Sequence, residues 1–396
     1  MTVCTNSNER QLIVYGCQTV IPKHQVEEMS KLLGSGGIDW KFVLNVAQRN
    51  AVLPLLSWNL QNHFAHLLPD QIRALLDDES QRHLRSNMFL TGKLLELLKL
   101  LKAKNIEAIP FKGPMLSIQA YGNAALRKYG DLDVLVQPRD FKNAVDIIKD
   151  NGYEPLTSVS WLEKTNWYIS RKKDIYFANP DRSVIVELHW KLSGSHFGLP
   201  KEMNGLWQRL ETLELAGTQI PTLSIYDLLI YLCLHGSRHS WERFQWICDV
   251  HELIGSKDDI DWNYLFEEAK RFGCENVVAL SLRLIYDFFG FNISDPTWEK
   301  IKSDPTYNEI VCEIRERLFS ESARLVKIGE RYLYFLRLKE RSSDRLKLHY
   351  HYLSWYLRLI LSPNEMDKSM LHFPRFLYPL YYFTRPLRLI FSRLVR

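Results

Sequence analysis

The chain has 396 residues, 46% of them hydrophobic and 24% charged, with 51 Lys and Arg against 46 Asp and Glu. That length supplies core for two or three domains without disulfide staples. The six scattered cysteines, with no CxxC pair, argue against a structural zinc site or an extracellular disulfide framework. No charged-then-apolar leader opens the chain and no run of 18 uncharged residues occurs in it, so the expected location is the cytoplasm. The charge is uneven. Residues 369–396 hold five arginines (Arg375, Arg385, Arg388, Arg393, Arg396) and no acid, which leaves 46 basic against 46 acidic residues elsewhere. A neutral body does not support a general nucleic-acid-binding footprint.

Residues 24–105 read as helices, most clearly from Met88 to Leu101, where Leu and Lys alternate at helical spacing. The texture then changes. Ile106–Phe111 is a strand candidate, Pro114–Tyr121 a helix opening after a glycine, and Leu132–Gln137 a second strand. Phe141–Lys149 reads as a helix that stops at Asn151-Gly152. Asp174–Ala178 and Ser183–His189 are two further strands around the turn Asn179-Pro180-Asp181-Arg182. From Ile225 the pattern is helical again, over 225–238, 243–254, 261–272, 275–289 and on to about 360. The expected class is α+β: an N-terminal helical region (1–105), a small mixed α/β core (106–222), a larger C-terminal helical domain (223–365) and a basic aromatic tail (366–396).

Within the core, Gly130-Asp131-Leu132-Asp133-Val134 places two carboxylates two residues apart. On a strand this puts both on one face and Leu132 and Val134 on the other. Like charges held side by side call for a cation, and Mg²⁺ (or Mn²⁺) prefers oxygen ligands shared with substrate phosphates. The second strand repeats the pattern: Ile185, Glu187 and His189 share a face opposite Val184, Val186 and Leu188. Glu187 beside the first strand would complete a three-carboxylate cradle for two metals. Each element also has a plainer reading, as a solvated strand end or an edge-strand charge. Lys112-Gly113-Pro114 lies at a strand-to-helix junction, where free backbone N–H groups favour anions and Lys112 adds a cation. Arg127, four residues before Asp131, either binds phosphate or braces the acidic strand.

The stretch FKGPMLSIQAYGNAALRKYGDLDVLVQPRDFKNAVDIIKDNGY is similar to the first block of a bacterial nucleotidyltransferase family of the polymerase-β-like superfamily. Val186-Glu187-Leu188-His189-Trp190 resembles its second block, and Leu228–Gly236 through Trp246-Ile247-Cys248-Asp249 a third. The resemblance implies a polymerase-β-like nucleotidyltransferase core, a nucleoside triphosphate substrate, and Asp131, Asp133 and Glu187 as catalytic metal ligands. The expected reaction moves an NMP to a hydroxyl or phosphate acceptor and releases pyrophosphate. A small molecule, sugar or protein fits that acceptor better than a nucleic acid. One position departs from the superfamily pattern: Lys112-Gly113 stands where Gly-Ser is usual. That departure motivates the alternative of a non-catalytic nucleotide- or partner-binding protein, antitoxin-like or regulatory.

His235 and His239 are four apart on a predicted helix and share a face. With Arg238 they would form a polar surface facing the cleft and touching the nucleotide or acceptor, or with Asp249 bind a transition metal, or pack between helices, Asp249 then being structural. Trp241 and Trp246 either stack a base or belong to the core. In the tail, Leu387, Ile390, Phe391 and Leu394 would line one helical face with Arg388, Ser392 and Arg396 on another. That is the pattern of a helix lying on the inner face of an anionic membrane, or of one packed back on the protein.

Overall fold

The structure, a computed structural model, describes residues 8–156, 172–192, 205–293, 296–320, 326–339, 342–361, 367, 375–382, 384–386 and 388. The chain is mixed: many helices around one small sheet. The described residues fall into two compact units, one reaching to Arg331 and a second starting at Tyr332.

Four helices open the first unit: α1 (Asn8–Tyr15), α2 (Lys23–Gly34), α3 (Trp40–Arg49) and α4 (Leu53–Phe64). A fifth, α5 (Asp70–Ala103), runs for 34 residues. Helix α1 precedes the stretch expected to be helical. Its eight residues have weak amphipathicity, but Leu12 and Ile13 are fully buried by tertiary packing.

The sheet comprises β1 (Ala108–Pro110), β2 (Leu132–Val136), β3 (Glu154–Pro155), β4 (Asp174–Ala178) and β5 (Ile185–His189), in the order β1-β2-β5-β4-β3. Strands β2 and β5 run parallel; the other pairings are antiparallel. Helix α6 (Pro114–Tyr121) separates β1 from β2, and α7 (Phe141–Asp150) follows β2. The first strand is shorter than the expected 106–111 and β5 starts two residues late. The two-residue β3 has no periodicity of its own to reveal it. One sheet face is apolar: Leu132, Val134 and Val136, Ile175 and Phe177, and Val184, Val186 and Leu188 pack against Leu90, Leu94, Leu97 and Leu101 of α5 and Phe141, Ala144, Val145 and Ile148 of α7. Because side chains alternate, every polar residue between these points to the other face.

A hairpin unforeseen from the sequence follows, β6 (Glu211–Leu215) and β7 (Thr218–Thr222). Its two-residue turn, Ala216-Gly217, has positive φ at both positions (49° and 77°), the geometry that suits the twist of a tight hairpin. Then come α8 (Ile225–Arg238), α9 (Phe244–Gly255), α10 (Trp262–Phe272), α11 (Glu275–Phe289), α12 (Pro296–Ser303) and α13 (Pro305–Leu318), with α14 at Ile328–Leu338. Ser224 caps α8 by accepting from the Asp227 amide, and Asp261 caps α10 the same way at Tyr264. Helix α8 is buried almost all round, between α9 on one side and α11 on another.

The second unit contains α15 (Ser342–Leu361) and a short 3-10 turn, Arg375–Leu380. Buried Asp367 binds both Arg385 and Arg388, the latter at 2.7 Å, so two of the tail arginines are neutralised internally. The amphipathic positions Leu387, Ile390, Phe391, Ser392, Leu394 and Arg396 lie outside the described residues. No helix among the described residues is long and apolar enough to cross a membrane.

Candidate functional site

The parallel register sets Asp133 directly beside Glu187 and Leu135 beside His189. All of these lie on the polar face of the sheet. The ligating atoms of Asp133, Glu187 and His189 fall within 4.8 Å of one another, and all three residues are buried. His189 Nε2 sits 3.1 Å from Asp133 Oδ1 and 3.2 Å from Glu187 Oε1. Phe111 meets the imidazole edge-on at a centroid distance of 5.0 Å and holds its plane. From the junction between β1 and α6, Lys112 reaches in and places Nζ 2.6 Å from Asp133 Oδ1; Lys173, just before β4, places Nζ 3.2 Å from Glu187 Oε1. Burial by itself would raise the Glu187 carboxyl, but His189, Lys112 and Lys173 outweigh it and hold the group well below the usual carboxylate range. Lys173 is pushed down to about 8 by burial, against the pull of Glu187. Asp131 stands just before β2, partly exposed; burial and then Asp133 raise its carboxyl.

The loop that presents Asp131 has no regular structure, and side chains lock it. Asn87 of α5 donates to the carbonyls of Ala124 and Arg127 at 2.6 and 3.0 Å, and Gln245 of α9 donates to that of Lys128 at 2.7 Å. Arg127 is buried, with Nε and Nη2 on the two oxygens of fully buried Asp249 at 2.7 and 2.9 Å. Tyr121 adds a third bond at 2.8 Å. Arg127 therefore braces the loop against α9, and Asp249 is its anchor rather than a partner of the histidines. Gly113, before α6, has φ 54° and ψ −127°, a region costly for any residue with a Cβ. A Cβ there would also sit 3.4 Å from the Asp131 carbonyl. Glycine is thus what lets β1 turn tightly under the acidic loop.

Lys112, Gly113, Arg127, Lys128, Asp131, Asp133 and Glu187 line one open cavity of about 550 Å³. Its far wall comes from α8, α9 and the end of α13. His235 of α8 and His239, which caps its C-terminus, are there, 4.9 Å apart, each 5.2 Å from the Trp246 ring, over which Arg243 lies at 5.8 Å. Burial first, then the cations Lys112 and Arg238, keep both imidazoles neutral; His239 is lowered to about 3. They offer aromatic faces and hydrogen bonds, not positive charge. Arg238 contacts His239 Nε2 at 3.4 Å, and neither Arg238, Arg243 nor Lys128 has a carboxylate partner among the described residues. Trp241, by contrast, is fully buried behind α8.

The structure thus gathers Asp133, Glu187, Lys112, Gly113, Asp131, Arg127, His235 and His239 around one cavity, at different depths. His189 joins the carboxylates more closely than Asp131 does; the strand alternation that singled out Glu187 carried the same signal for it. Arg238, read from the sequence together with the two histidines, does line the cavity; Lys173 and Arg243 were missed, since a basic residue carries no periodic signature. Two carboxylates and an imidazole this close fit a divalent cation, for which such donors are suited.

The model of a family described as an uncharacterised nucleotidyltransferase matches residues 36–290. No curated protein matches the chain. Among solved structures, an antigenic nucleotidyltransferase-like protein from Paracoccidioides brasiliensis aligns at 12% identity and TM-score 0.31, over 52% of this chain and 88% of that one. With its family model spanning well over half the sequence, the chain belongs to this family of uncharacterised nucleotidyltransferases.

Proposed function

We propose that the protein transfers a nucleotidyl group from a nucleoside triphosphate to a hydroxyl or phosphate acceptor, with Mg²⁺ or Mn²⁺ as cofactor. The observation that carries this reading is the pairing of Asp133 and Glu187 across parallel strands at the floor of a cavity with cationic walls, in a chain of this family. Asp133 and Glu187, with Asp131 or His189, would hold the cation, which would neutralise charge on the phosphates and favour the attacking oxygen. The chain's own groups do the rest. Lys112, Arg238, Arg243 and Lys128 surround the negative phosphates, while neutral His235 and His239 with Trp246 give the nucleoside an aromatic bed. The acceptor oxygen bonds to the α-phosphorus, the bond to the bridging oxygen of pyrophosphate breaks, and the proton of a hydroxyl acceptor passes to solvent water; Glu187, held ionised by His189, Lys112 and Lys173, stays a ligand on the acceptor side. A small molecule, sugar or protein acceptor suits the charge distribution better than a nucleic acid.

Each α-labelled NTP, incubated with the protein, Mg²⁺ and a panel of acceptors, tests this by label transfer and pyrophosphate release. Asp133→Asn and Glu187→Gln should each lower turnover by about a thousandfold in protein whose circular dichroism shows it folded at the assay temperature. A second reading rests on the Lys112 ammonium, which already neutralises Asp133 at 2.6 Å: a non-catalytic nucleotide- or partner-binding protein. NTP binding without turnover, indifferent to both substitutions, would establish that reading and remove the first.

A further inference from the structure

We propose that the second unit docks on the surface of an anionic lipid bilayer through the exposed face of α15. From Tyr332 to Arg396 the sequence holds 12 Lys and Arg against 4 Asp and Glu, a net +8, so the preceding 331 residues carry −3. The basic excess belongs to the whole second unit, not only to its last 28 residues.

On α15, Leu346, Tyr350, Leu353, Tyr356, Leu357 and Leu361 are 40–73% exposed. At 100° per residue they fall within an arc of about 140°. Arg345 and Lys347 flank that arc on either side, about 100° from Leu346, where long side chains let the charge reach headgroups while the stem lies on apolar surface. Leu333, Tyr378, Leu380 and Tyr382 of the same unit are exposed as well. Two half-exposed or more exposed tyrosines on the helix suit the boundary between headgroup and hydrocarbon.

Three observations select the occupant. The apolar arc is wider than the two-position seam of a helix pair. The charge of the unit repels a second copy of itself and attracts an anionic surface. With no helix among the described residues long and apolar enough to span, the contact is proposed as one of lying on the bilayer. The inference stands apart from the nucleotide site.

The test is co-sedimentation of the full-length protein with phosphatidylcholine vesicles, with and without phosphatidylglycerol, at low and high salt. Partition should rise at least tenfold with phosphatidylglycerol and fall with salt. The double variant Leu346→Glu with Leu353→Glu should lower it at least tenfold with unchanged melting temperature. Arg345→Gln with Lys347→Gln should reduce only the phosphatidylglycerol-dependent part. Equal pelleting of wild type and the glutamate variant, or no preference for phosphatidylglycerol, would overturn the proposal. So would a dimer in light scattering that the glutamate variant dissociates, which would assign the face to a second copy.

Discussion

A single carboxylate, Asp249, takes two donors of Arg127 and the hydroxyl of Tyr121, all out of water. At position 127 the sequence left two roles open, phosphate contact and brace for the acidic strand. The planar guanidinium, matched to both oxygens of Asp249, shows the bracing geometry directly. Removing one member of a buried pair strands the other charge, so Arg127→Ala should cost about 3–5 kcal/mol of unfolding free energy. Arg127→Lys should recover only part, because an ammonium cannot make the forked bond. In urea titrations Arg127→Met with Asp249→Leu should lose less than the two single variants combined. Additive losses would mean that the pair is not coupled. A structural Asp249 was legible in the sequence, but its partner was not, because it lies 122 residues away.

Elements were legible where they have a period of several residues. Helices α8 and α11 have the ends the sequence indicated, α10 and β2 differ by one residue at one end and α9 by one at each, since amphipathic spacing and cap residues are local signals. The hairpin β6–β7 and the strand β3 were not, the first because its turn lacks the usual Asn-Gly, the second because two residues hold no pattern. Helix α9 also carries a prediction. Burial raises the carboxyl of Glu252 to about 7, although the Thr19 amide and hydroxyl both donate to it. An acid raised in the folded state binds its proton more tightly there than in the unfolded chain. Its contribution to stability is therefore whole below pH 4.5 and is lost as pH rises to about 7. For this 5%-exposed side chain the loss is on the order of 3 kcal/mol. Glu252→Gln should gain stability relative to wild type across that window; a difference that does not vary with pH would refute it.

Across the whole molecule the charges that matter are placed by tertiary structure. His83 of α5 and His251 of α9 are both lowered to about 4, each chiefly by burial, with Lys128 adding to the effect at His83. They stay neutral in the folded state but gain protons once unfolded below about pH 6.5. Stability should therefore fall as pH drops from 6.5 toward 4, opposite in sign to the effect of Glu252. Urea midpoints for His251→Phe, which stacks on Phe289 at 4.2 Å as the imidazole does, should show a shallower acid fall than wild type. Parallel profiles would exclude this histidine as a source. The balance of charge along the chain was readable from sequence as a basic tail. The boundary at Tyr332 and the internal capture of Arg385 and Arg388 by Asp367 needed the fold.

By itself the sequence determined the alternation that puts Asp133, Glu187 and His189 opposite the apolar residues of their strands. Period-two patterning is a property of the backbone and needs no partner. It also determined that Lys112-Gly113 precedes a helix, because Gly and Pro punctuate locally. Tertiary structure alone decided that β2 and β5 are parallel neighbours in register. It likewise decided that Lys112 and Lys173 neutralise their carboxylates, that His235 and His239 are neutral, and that Arg127 faces Asp249. Each of these is a contact between residues distant along the chain, set by how the apolar faces close on one another and not by any local spacing.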